Sequence, residues 1–322
     1  MKPIEPIPLE EIEAARERIA ASAIRTPLLP LDVPGGGRVW LKLECLQPIG
    51  SFKIRGAANA MALADPERLA RGVYTGSAGN MAQGVAFEAR RRSVPCRVLV
   101  PESAPRAKLD AIERLGATPV PLSFEAWWAV LRDHGHADED GFFVHPVSDP
   151  AVIAGNGTIG LEIVDDLPEV SAVVVPFGGG GLSSGIASAL KARRPSVRVY
   201  AAEVETAAPF AASLEAGEPV DVVRTPSFVD GIGAGGMLRE MWPLTSGLLD
   251  GALVMSLEDV CAAIRTLVEH AHVVAEGAGA CAVAAALDLA ARDDDIGDVV
   301  AVVSGGNIDA AVLATILEGR TP

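Results

Sequence analysis

The sequence predicts an α/β fold built on parallel β-sheets, and three observations support this. Short apolar segments alternate with helical segments from about residue 72 onward. Several of these segments, such as AVVVPF and DVVAVVS, are apolar throughout, as strands buried on both faces of a sheet are. Of the 322 residues, 49% are apolar and only 4% are aromatic, so Ala, Val, Leu and Ile must fill a large core. The length predicts two domains or one large domain.

The N-terminal part contains a helix, a strand and a second helix before the regular alternation begins. Residues 9 to 22 place apolar side chains on one face of a helix. The segment RVWLKLE alternates apolar and polar residues and predicts a strand that ends near Glu44. After the turn at residues 47 to 50, Ser51 is a suitable N-cap for a helix that extends to about Ala64.

Strand and helix pairs then follow one another along the chain. Before a loop at residues 138 to 141, the segments are GVYTGS, NMAQGVAFEARRR, CRVLVP, APRAKLDAIERLG, TPVPL and EAWWAVLRDHG. After that loop, they are GTIGLEIVDDLP, AVVVPF, SSGIASALKARR, RVYAAE, LEDVCAAIRTLVEHA, GAGACAVAAALDLAAR and DVVAVVS. This alternation predicts parallel sheets covered by helices.

Charge and cysteine usage exclude several classes of protein. The net charge of −15 argues against nucleic acid and anionic membranes as partners, because both bind basic surfaces. We expect no membrane span and no secretory signal, because no apolar run is long enough and the N-terminus lacks an apolar segment. The four cysteines form no CxxC pair, so we expect a protein of the reducing cytoplasm without a zinc or redox site.

The segment AVVVPFGGGGLSSGIASAL carries the strongest local signal. A buried strand ends at Phe177, four glycines follow, and a helix is predicted to begin near Ser183 or Ser184. Glycines let backbone N–H groups converge, and a helix N-terminus adds partial positive charge. The segment therefore predicts an anion-binding turn, most often one for phosphate.

Two other interpretations of this segment remain open from the residues alone. GLSSG matches the G-x-S-x-G pattern of serine hydrolases, with Ser183 as nucleophile and His270 or His272 as base. Alternatively, a nucleotide-binding protein would use the glycines for phosphate and Glu203 for a ribose. The histidine pairs His134/His136 and His270/His272 lack an obvious third ligand, so we predict no metal site there.

The segment GSFKIRGAANA places Lys53 and Arg55 in the first turn of a predicted helix. Cations are disfavoured at a helix N-terminus, because that end is already positive. Either this arrangement is indifferent, or the helix start and Arg55 lower the pKa of Lys53 and so favour a free amine suited to covalent chemistry.

Six segments taken together resemble the fold-type II pyridoxal-phosphate (PLP) enzymes, specifically the threonine/serine dehydratase family. They are GSFKIRGA, SAGNMAQGVA, GNGTIGLEI, PFGGGGLSSG, EGAGA and SGGNID, in the family's order and spacing. The resemblance implies a tryptophan synthase β-like fold with PLP between two domains. We expect a large PLP-binding domain of residues 1–71 and 149–322, and a small inserted α/β domain of residues 72–148.

The resemblance also implies roles for individual residues. Lys53 matches the lysine that binds the cofactor as a Schiff base and later takes the α-proton of the substrate. The other matches to cofactor-binding positions are Phe52, Asn80, Gly178, Gly179, Gly180, Gly181, Leu182, Glu276 and Ser304. The matches to substrate-binding positions are Ser77, Ala78, Gly79, Asn80, Gln83 and Val147.

Three departures from the family pattern modify these expectations. Ala78 stands where serine racemases carry a second serine, which argues against racemisation. Met81 and Val147 replace more polar or aromatic residues, and we expect both to make the substrate pocket more apolar. Pro209 replaces an acid of the family's divalent-metal site, so we predict no divalent ion there. A monovalent cation is the remaining alternative.

The implied activity is a PLP-dependent β-elimination. An L-threonine or L-serine dehydratase releases ammonia and a 2-oxo acid, and a related β-hydroxy amino acid such as phenylserine is an alternative substrate. The alternatives are β-replacement, as in cysteine synthase, and less strongly a serine hydrolase or a nucleotide-binding protein. The expected partners are a small amino-acid substrate and a second copy of the chain in a homodimer.

Overall fold

The computed structural model describes residues 3–33, 38–293 and 295–322. Residues 1, 2, 34–37 and 294, which belong to the predicted large domain, lie outside the described residues. The strands are β1 (Leu28–Pro30), β2 (Val39–Lys42), β3 (Val73–Gly76), β4 (Cys96–Pro101), β5 (Thr118–Leu122), β6 (Phe142–Phe143), β7 (Ala172–Pro176), β8 (Arg198–Val204), β9 (Gly251–Met255) and β10 (Val299–Val302).

Helices connect the strands and cover the sheets. They are α1 (Leu9–Ile19), α2 (Lys53–Leu63), α3 (Pro66–Ala70), α4 (Asn80–Arg92), α5 (Arg106–Arg114), α6 (Phe124–Arg132), α7 (Pro150–Asp166), α8 (Gly181–Arg193), α9 (Pro209–Ala216), α10 (Trp242–Leu248), α11 (Leu257–Thr266), α12 (Gly277–Arg292) and α13 (Ala310–Leu317). Among the described residues, no helix is both long and apolar enough to cross a membrane.

The strands form two separate sheets. The larger has the order β1-β2-β10-β7-β8-β9 and is parallel except for β1, which pairs antiparallel with β2. Its central strands β7 and β10 are buried along their whole length, as their apolar sequences require. The smaller sheet has the order β5-β4-β3-β6 and is parallel throughout. The predicted α/β fold with two parallel or mixed sheets is confirmed.

Helices α7 and α8 pack very closely because glycines face one another between them. A Cβ atom added to Gly157 would lie 2.9 Å from the carbonyl oxygen of Gly185, and one added to Gly160 would lie 2.8 Å from that of Ile186. The side chain of Asn156 donates to the carbonyl oxygen of Gly181 at 3.2 Å. The contact of the two helices therefore fixes the turn from which α8 begins.

Most predicted elements are present, with some shifted boundaries. The segments predicted for α4, β4, β5 and α12 match residue for residue. The first helix ends at Ile19, and α2 begins at Lys53, so Phe52 and not Ser51 immediately precedes it. Helix α8 begins at Gly181, two residues before the predicted start, because the last glycine already has helical geometry.

All four strands of the smaller sheet lie within residues 72–148, the predicted small domain. Helix α2 precedes that range, yet its Ala57, Ala60 and Met61 pack in the same apolar cluster as Val85 of α4. The division of the chain into domains at these boundaries stays a prediction.

Candidate active site

Lys53 lies at the start of α2, where several segments of the chain meet. Its Nζ atom donates to the carbonyl oxygen of Pro146 at 2.9 Å and lies 5.1 Å from the centre of the Phe52 ring. Its backbone N–H donates to the hydroxyl of Ser51 at 3.2 Å. Helix α4 passes so close that a Cβ atom on Gly84 would lie 3.1 Å from the carbonyl oxygen of Lys53.

The pKa of Lys53 is lowered from 10.5 to about 8. The cause is loss of solvent around the amine, and the nearby carboxylate of Glu276 acts in the opposite direction. At a pKa near 8, roughly one amine in ten is neutral at pH 7, against fewer than about one in a thousand at 10.5. The predicted direction of the shift is therefore confirmed.

The predicted role of Arg55 in that shift is wrong. The guanidinium of Arg55 binds Glu44 through two hydrogen bonds of 2.8 Å. It also donates to the carboxylate of Glu162 at 2.7 and 2.9 Å, and Lys42 donates to that same carboxylate at 2.6 Å. Two buried carboxylates thus neutralise two buried cations, and this leaves no net charge to repel the Lys53 ammonium.

The four-glycine turn connects β7 to α8 and is enclosed on one side. Gly180 has a φ of +91°, which disfavours any other residue, and a Cβ atom there would lie 2.6 Å from Cγ2 of Thr245. A Cβ atom on Gly179 would lie 2.7 Å from Cγ1 of Val147. Leu182 is buried in the apolar cluster beneath the larger sheet, so only its backbone faces the turn. The backbone N–H groups at the start of α8 are thus available to an anion.

Asn80 and Glu276 form a second polar centre. The side-chain nitrogen of Asn80, the first residue of α4, donates to the two carboxylate oxygens of Glu276 at 2.8 and 3.1 Å. Burial raises the pKa of Glu276 to about 7, although the hydrogen bond from Asn80 acts to lower it. Asn307 donates to the side-chain oxygen of Asn80 at 2.8 Å and to the carbonyl oxygen of Ile49 at 2.9 Å. These partners fix the orientation of the Asn80 amide.

The segment that follows β10 is joined directly to the segment that carries Lys53. The backbone N–H of Phe52 donates to the carbonyl oxygen of Ser304 at 3.0 Å, and Ser51 pairs with Gly305 in an antiparallel bridge. The backbone N–H of Glu276 donates to the carbonyl oxygen of Gly305 at 3.0 Å. The structure therefore brings Phe52, Ser304 and Glu276 into one site, as the sequence predicted.

The predicted substrate-binding segment leads into α4. Ser77, Ala78, Gly79, Asn80 and Gln83 are all partly exposed, and the hydroxyl of Ser77 accepts the N–H of Gly79 at 3.2 Å. A Cβ atom on Gly79 would meet nothing within 4 Å, so the start of this helix faces open space.

The two apolar substitutions in the predicted pocket have different outcomes. Met81 is 1% exposed and packs in the core of the smaller sheet, so the prediction that it makes the substrate pocket more apolar is wrong. Val147 is partly exposed and contacts the glycine turn, so its side chain does lie at the site.

The geometry disfavours the hydrolase and ribose interpretations. Ser183 is fully buried and its hydroxyl donates to the carbonyl oxygen of Gly180 at 3.1 Å, whereas His270 and His272 are exposed. Glu203 accepts the N–H groups of Phe210 and Ala211 at 2.9 and 2.7 Å, and burial raises its pKa to about 7. In the described part of the chain, no group of three or more His, Cys, Asp or Glu side chains is arranged to hold a metal ion. A monovalent cation stays a prediction.

Comparison with known proteins identifies the family. Residues 19–305 match the model of the pyridoxal-phosphate dependent enzyme family. The chain belongs to this family. Among curated relatives, this PLP-dependent enzyme is 42% identical to an L-threonine ammonia-lyase of Thermotoga maritima over 318 residues, which are 97% of this chain and 78% of that protein. The predicted membership of the fold-type II threonine/serine dehydratase family is confirmed.

Solved structures resemble this PLP-dependent enzyme over nearly its whole length. The structure of maize serine racemase has a TM-score of 0.88 at 32% identity and covers 98% of both chains. The processed form of threonine deaminase isoform 2 from Solanum lycopersicum has a TM-score of 0.85 at 30% identity, with 99% of this chain and 96% of that chain covered.

Sequence reasoning missed three residues that contact this site. Asn307 belongs to the SGGNID segment, but only the structure shows that it holds Asn80 and the turn before Lys53. Pro146 and His145 belong to HPVSDP, in which the sequence predicted a role for Val147 alone. A backbone carbonyl leaves no signal in the sequence, and a single histidine beside it leaves only a weak one.

Proposed function

We propose that the protein is a PLP-dependent ammonia-lyase that converts L-threonine or L-serine to a 2-oxo acid and ammonia. The observation that carries this proposal is the amine of Lys53. It has a pKa lowered to about 8 and donates to the carbonyl oxygen of Pro146, whose neighbour Val147 contacts the glycine turn. The names of the relatives, including an L-threonine ammonia-lyase, support the same reaction.

The residues of the site fit the cofactor. The glycine turn and the start of α8 offer N–H groups for the phosphate, and Lys53 offers an amine for the aldehyde. Asn80 has a second N–H beside the one it gives to Glu276, and that second N–H suits the phenolic oxygen. Ser304 offers a hydroxyl to the ring nitrogen. Pyridoxal phosphate, when bound, supplies an electron sink for the negative charge that develops at the α-carbon.

Lys53 would move the proton in this reaction. A neutral amine at this position accepts the α-proton, and the ammonium formed would return a proton to the β-hydroxyl, which leaves as water; an enamine remains. Hydrolysis of the enamine consumes one water molecule and releases the 2-oxo acid and ammonia. The carbonyl oxygen of Pro146, 2.9 Å from Nζ, keeps the amine on one side of the cleft between proton transfers.

The substrate carboxylate is expected at the start of α4. An added Cβ atom on Gly79 would meet nothing within 4 Å there, and a helix N-terminus stabilises an anion. Val147 contacts the glycine turn and is expected to give the side-chain pocket an apolar wall, which also suits a larger β-hydroxy amino acid such as phenylserine.

Racemisation and β-replacement are the competing reactions at the same site. Ala78 has no hydroxyl to serve the opposite face of the substrate, so we expect recovered serine to stay in the L form. Replacing Ala78 with Ser would introduce that hydroxyl, and chiral analysis would detect any D-serine. For β-replacement, an added thiol would divert product away from the 2-oxo acid.

Two measurements test the lyase proposal. Borohydride reduction of the PLP-loaded protein, followed by peptide mass analysis, should place the adduct on Lys53. A panel of L-threonine, L-serine and phenylserine should yield 2-oxo acid, with activity lost in Lys53→Ala and kept in Lys191→Ala. An adduct on another residue, or no product from any of the three substrates, would reject the proposal.

We also propose that the enzyme is a homodimer of the reducing cytoplasm. The four cysteines are all buried and free, which suits a reducing compartment. Light scattering of the purified protein tests the dimer, since a mass near 33 kDa would mean a monomer. Localisation of the tagged protein in fractionated cells tests the compartment.

A further inference from the structure

His145 is a buried residue at the point where the chain leaves the smaller sheet for α7. Its side chain is almost inaccessible, and residues 145–148 form a tight turn around it. The Nε2 atom lies 3.0 Å from the carbonyl oxygen of Leu131 at the end of α6. The Nδ1 atom accepts the backbone N–H groups of Val147 at 3.0 Å and Ser148 at 2.8 Å.

These partners determine which nitrogen of His145 carries the proton. A carbonyl oxygen can only accept a hydrogen bond, so Nε2 must donate to Leu131. Backbone N–H groups can only donate, so Nδ1 must be unprotonated. A proton on Nδ1 would break both bonds to the turn and place three N–H groups against one another.

The surroundings keep the imidazole of His145 neutral. Burial lowers its pKa to about 4; charge on His134 or Lys53 acts in the same direction, and Glu240 and the carbonyl oxygen of Leu131 oppose it. The ring of His134 stacks on it with a centroid separation of 4.2 Å.

The turn held by His145 contacts the active site at two points. The carbonyl oxygen of Pro146 accepts the hydrogen bond from Nζ of Lys53 at 2.9 Å. The side chain of Val147 lies against Gly179 of the glycine turn. A change in the orientation of this turn would therefore move the partner of the lysine and one wall of the pocket together.

We propose that His145 is a positioning residue whose neutral Nε2–H form holds the turn at residues 145–148 so that Pro146 orients the amine of Lys53. The link to β-elimination rests on the proposed function, but the effect on the amine does not. Misplacement of a reacting group by about 1 Å costs on the order of 100-fold in rate, so the turn is expected to matter for turnover more than for substrate binding.

Three substitutions separate this role from simple packing. In His145→Asn, the side-chain oxygen replaces Nδ1 as acceptor for the two N–H groups, and the bond to Leu131 is lost. In His145→Gln, the amide reaches the position of Nε2, and the acceptor for the turn is lost. His145→Phe keeps the ring shape and loses both. His270→Gln, at an exposed histidine outside the site, serves as a control.

The first readout is the pKa of the Lys53 amine in the full-length chain without cofactor, measured from the pH dependence of its chemical modification. We expect the pKa of Lys53 to stay near 8 in the Asn variant. In the Gln and Phe variants this pKa should fall by about one unit, because the Lys53 ammonium loses its hydrogen-bond acceptor. The second readout is kcat, which should fall about tenfold or more in the Gln and Phe variants and less than about threefold in the Asn variant, with KM little changed.

The outcomes that overturn the inference differ from those that reject the lyase. An unchanged Lys53 pKa in the Gln and Phe variants, or equal losses in Asn and Gln, would exclude the positioning role even in an active lyase. Nitrogen NMR of the wild-type protein decides the matter if variants fail to fold. It should show His145 neutral with the proton on Nε2 from pH 5 to 8, and a proton on Nδ1 in that range would refute the inference.

Discussion

Replacing Arg55 with Met tests how the site obtains an amine with a low pKa. The side chains of Arg55, Glu44, Glu162 and Lys42 are at most 5% exposed and form one buried network with no net charge. Met fills much of the same volume but leaves two buried carboxylates with only Lys42 as a counter-charge. We expect a large loss of stability and no change in the pKa of Lys53.

The magnitude follows from the burial of the network. Removal of one partner from a buried ion pair costs about 3–5 kcal/mol, because a charge is left uncompensated away from water. Each kcal/mol lowers the melting temperature of a protein of this size by about 1.5 °C, so we expect a decrease of about 4–8 °C. Arg106→Met removes an exposed arginine with two carboxylate partners at 2.7 and 2.8 Å, and should cost less than about 1 kcal/mol.

The pH dependence adds an independent test of the Arg55→Met variant. In the wild type, burial acts to raise the pKa of Glu44, but Arg55 and the other donors outweigh it and the pKa is lowered. This contribution to stability is present above the ordinary carboxyl pKa and is lost as the pH falls through the lowered value. Without Arg55 the burial effect prevails and the pKa of Glu44 is expected above its ordinary value, so the variant should recover part of its lost stability as the pH falls from 7 to about 5.

The assays are thermal unfolding at a fixed scan rate and pH-dependent modification of the Lys53 amine. A melting temperature within about 2 °C of the Arg106→Met control would refute the view that the network stabilises the fold. A rise of the Lys53 pKa by about one unit would instead restore Arg55 as the cause of its low value.

Three further predictions concern the site itself. In Asn307→Asp, the donor to Asn80 and Ile49 is lost, so the affinity for PLP, measured by fluorescence titration, should fall about tenfold. An unchanged affinity would exclude a role of Asn307 in holding Asn80 for the cofactor. In Glu276→Gln, a carboxylate that raises the pKa of Lys53 is removed, so chemical modification of the amine should report a Lys53 pKa below 8. A pKa above 8 would contradict the effect of Glu276 on Lys53. Gly180→Ala strains a turn with a φ of +91° and should weaken PLP binding about tenfold. Gly247→Ala is the control, because an added Cβ atom there meets nothing within 4 Å, and PLP binding should stay unchanged.

The fold and the composition of the site were largely predictable because their signals are local. Strands such as β4 and β5 and helices such as α4 and α12 are continuous segments with clear boundaries. The glycine turn and the segments that carry Lys53 and Asn80 each stand at the start of a helix, where the sequence alone indicates an exposed N-terminus. Short or edge strands such as β1 and β6 were not predicted, because two or three residues are too few to show a periodic pattern.

Long-range partners were not predictable, and this explains the errors. Arg55 is two residues from Lys53 in sequence, and this proximity predicted that its charge lowers the pKa of the amine. Only the fold reveals that Glu44 and Glu162, 11 and 107 positions away, surround its guanidinium. Met81 likewise follows Asn80 directly, but successive residues of a helix point in different directions, and Met81 faces the core.

The position of the site follows from the direction of the strands. Parallel strands present their carboxyl ends at the same edge of a sheet, so the segments after β7 and β10 in the larger sheet lie side by side. The segment after β3 of the smaller sheet is joined to the segment after β10 by the hydrogen bond from Asn307 to Asn80. Because the pKa of Lys53 is lowered by loss of solvent and not by a fixed cation, the increased fraction of free amine depends on these segments remaining together. The same contacts that build the cleft therefore also keep its base neutral enough to react.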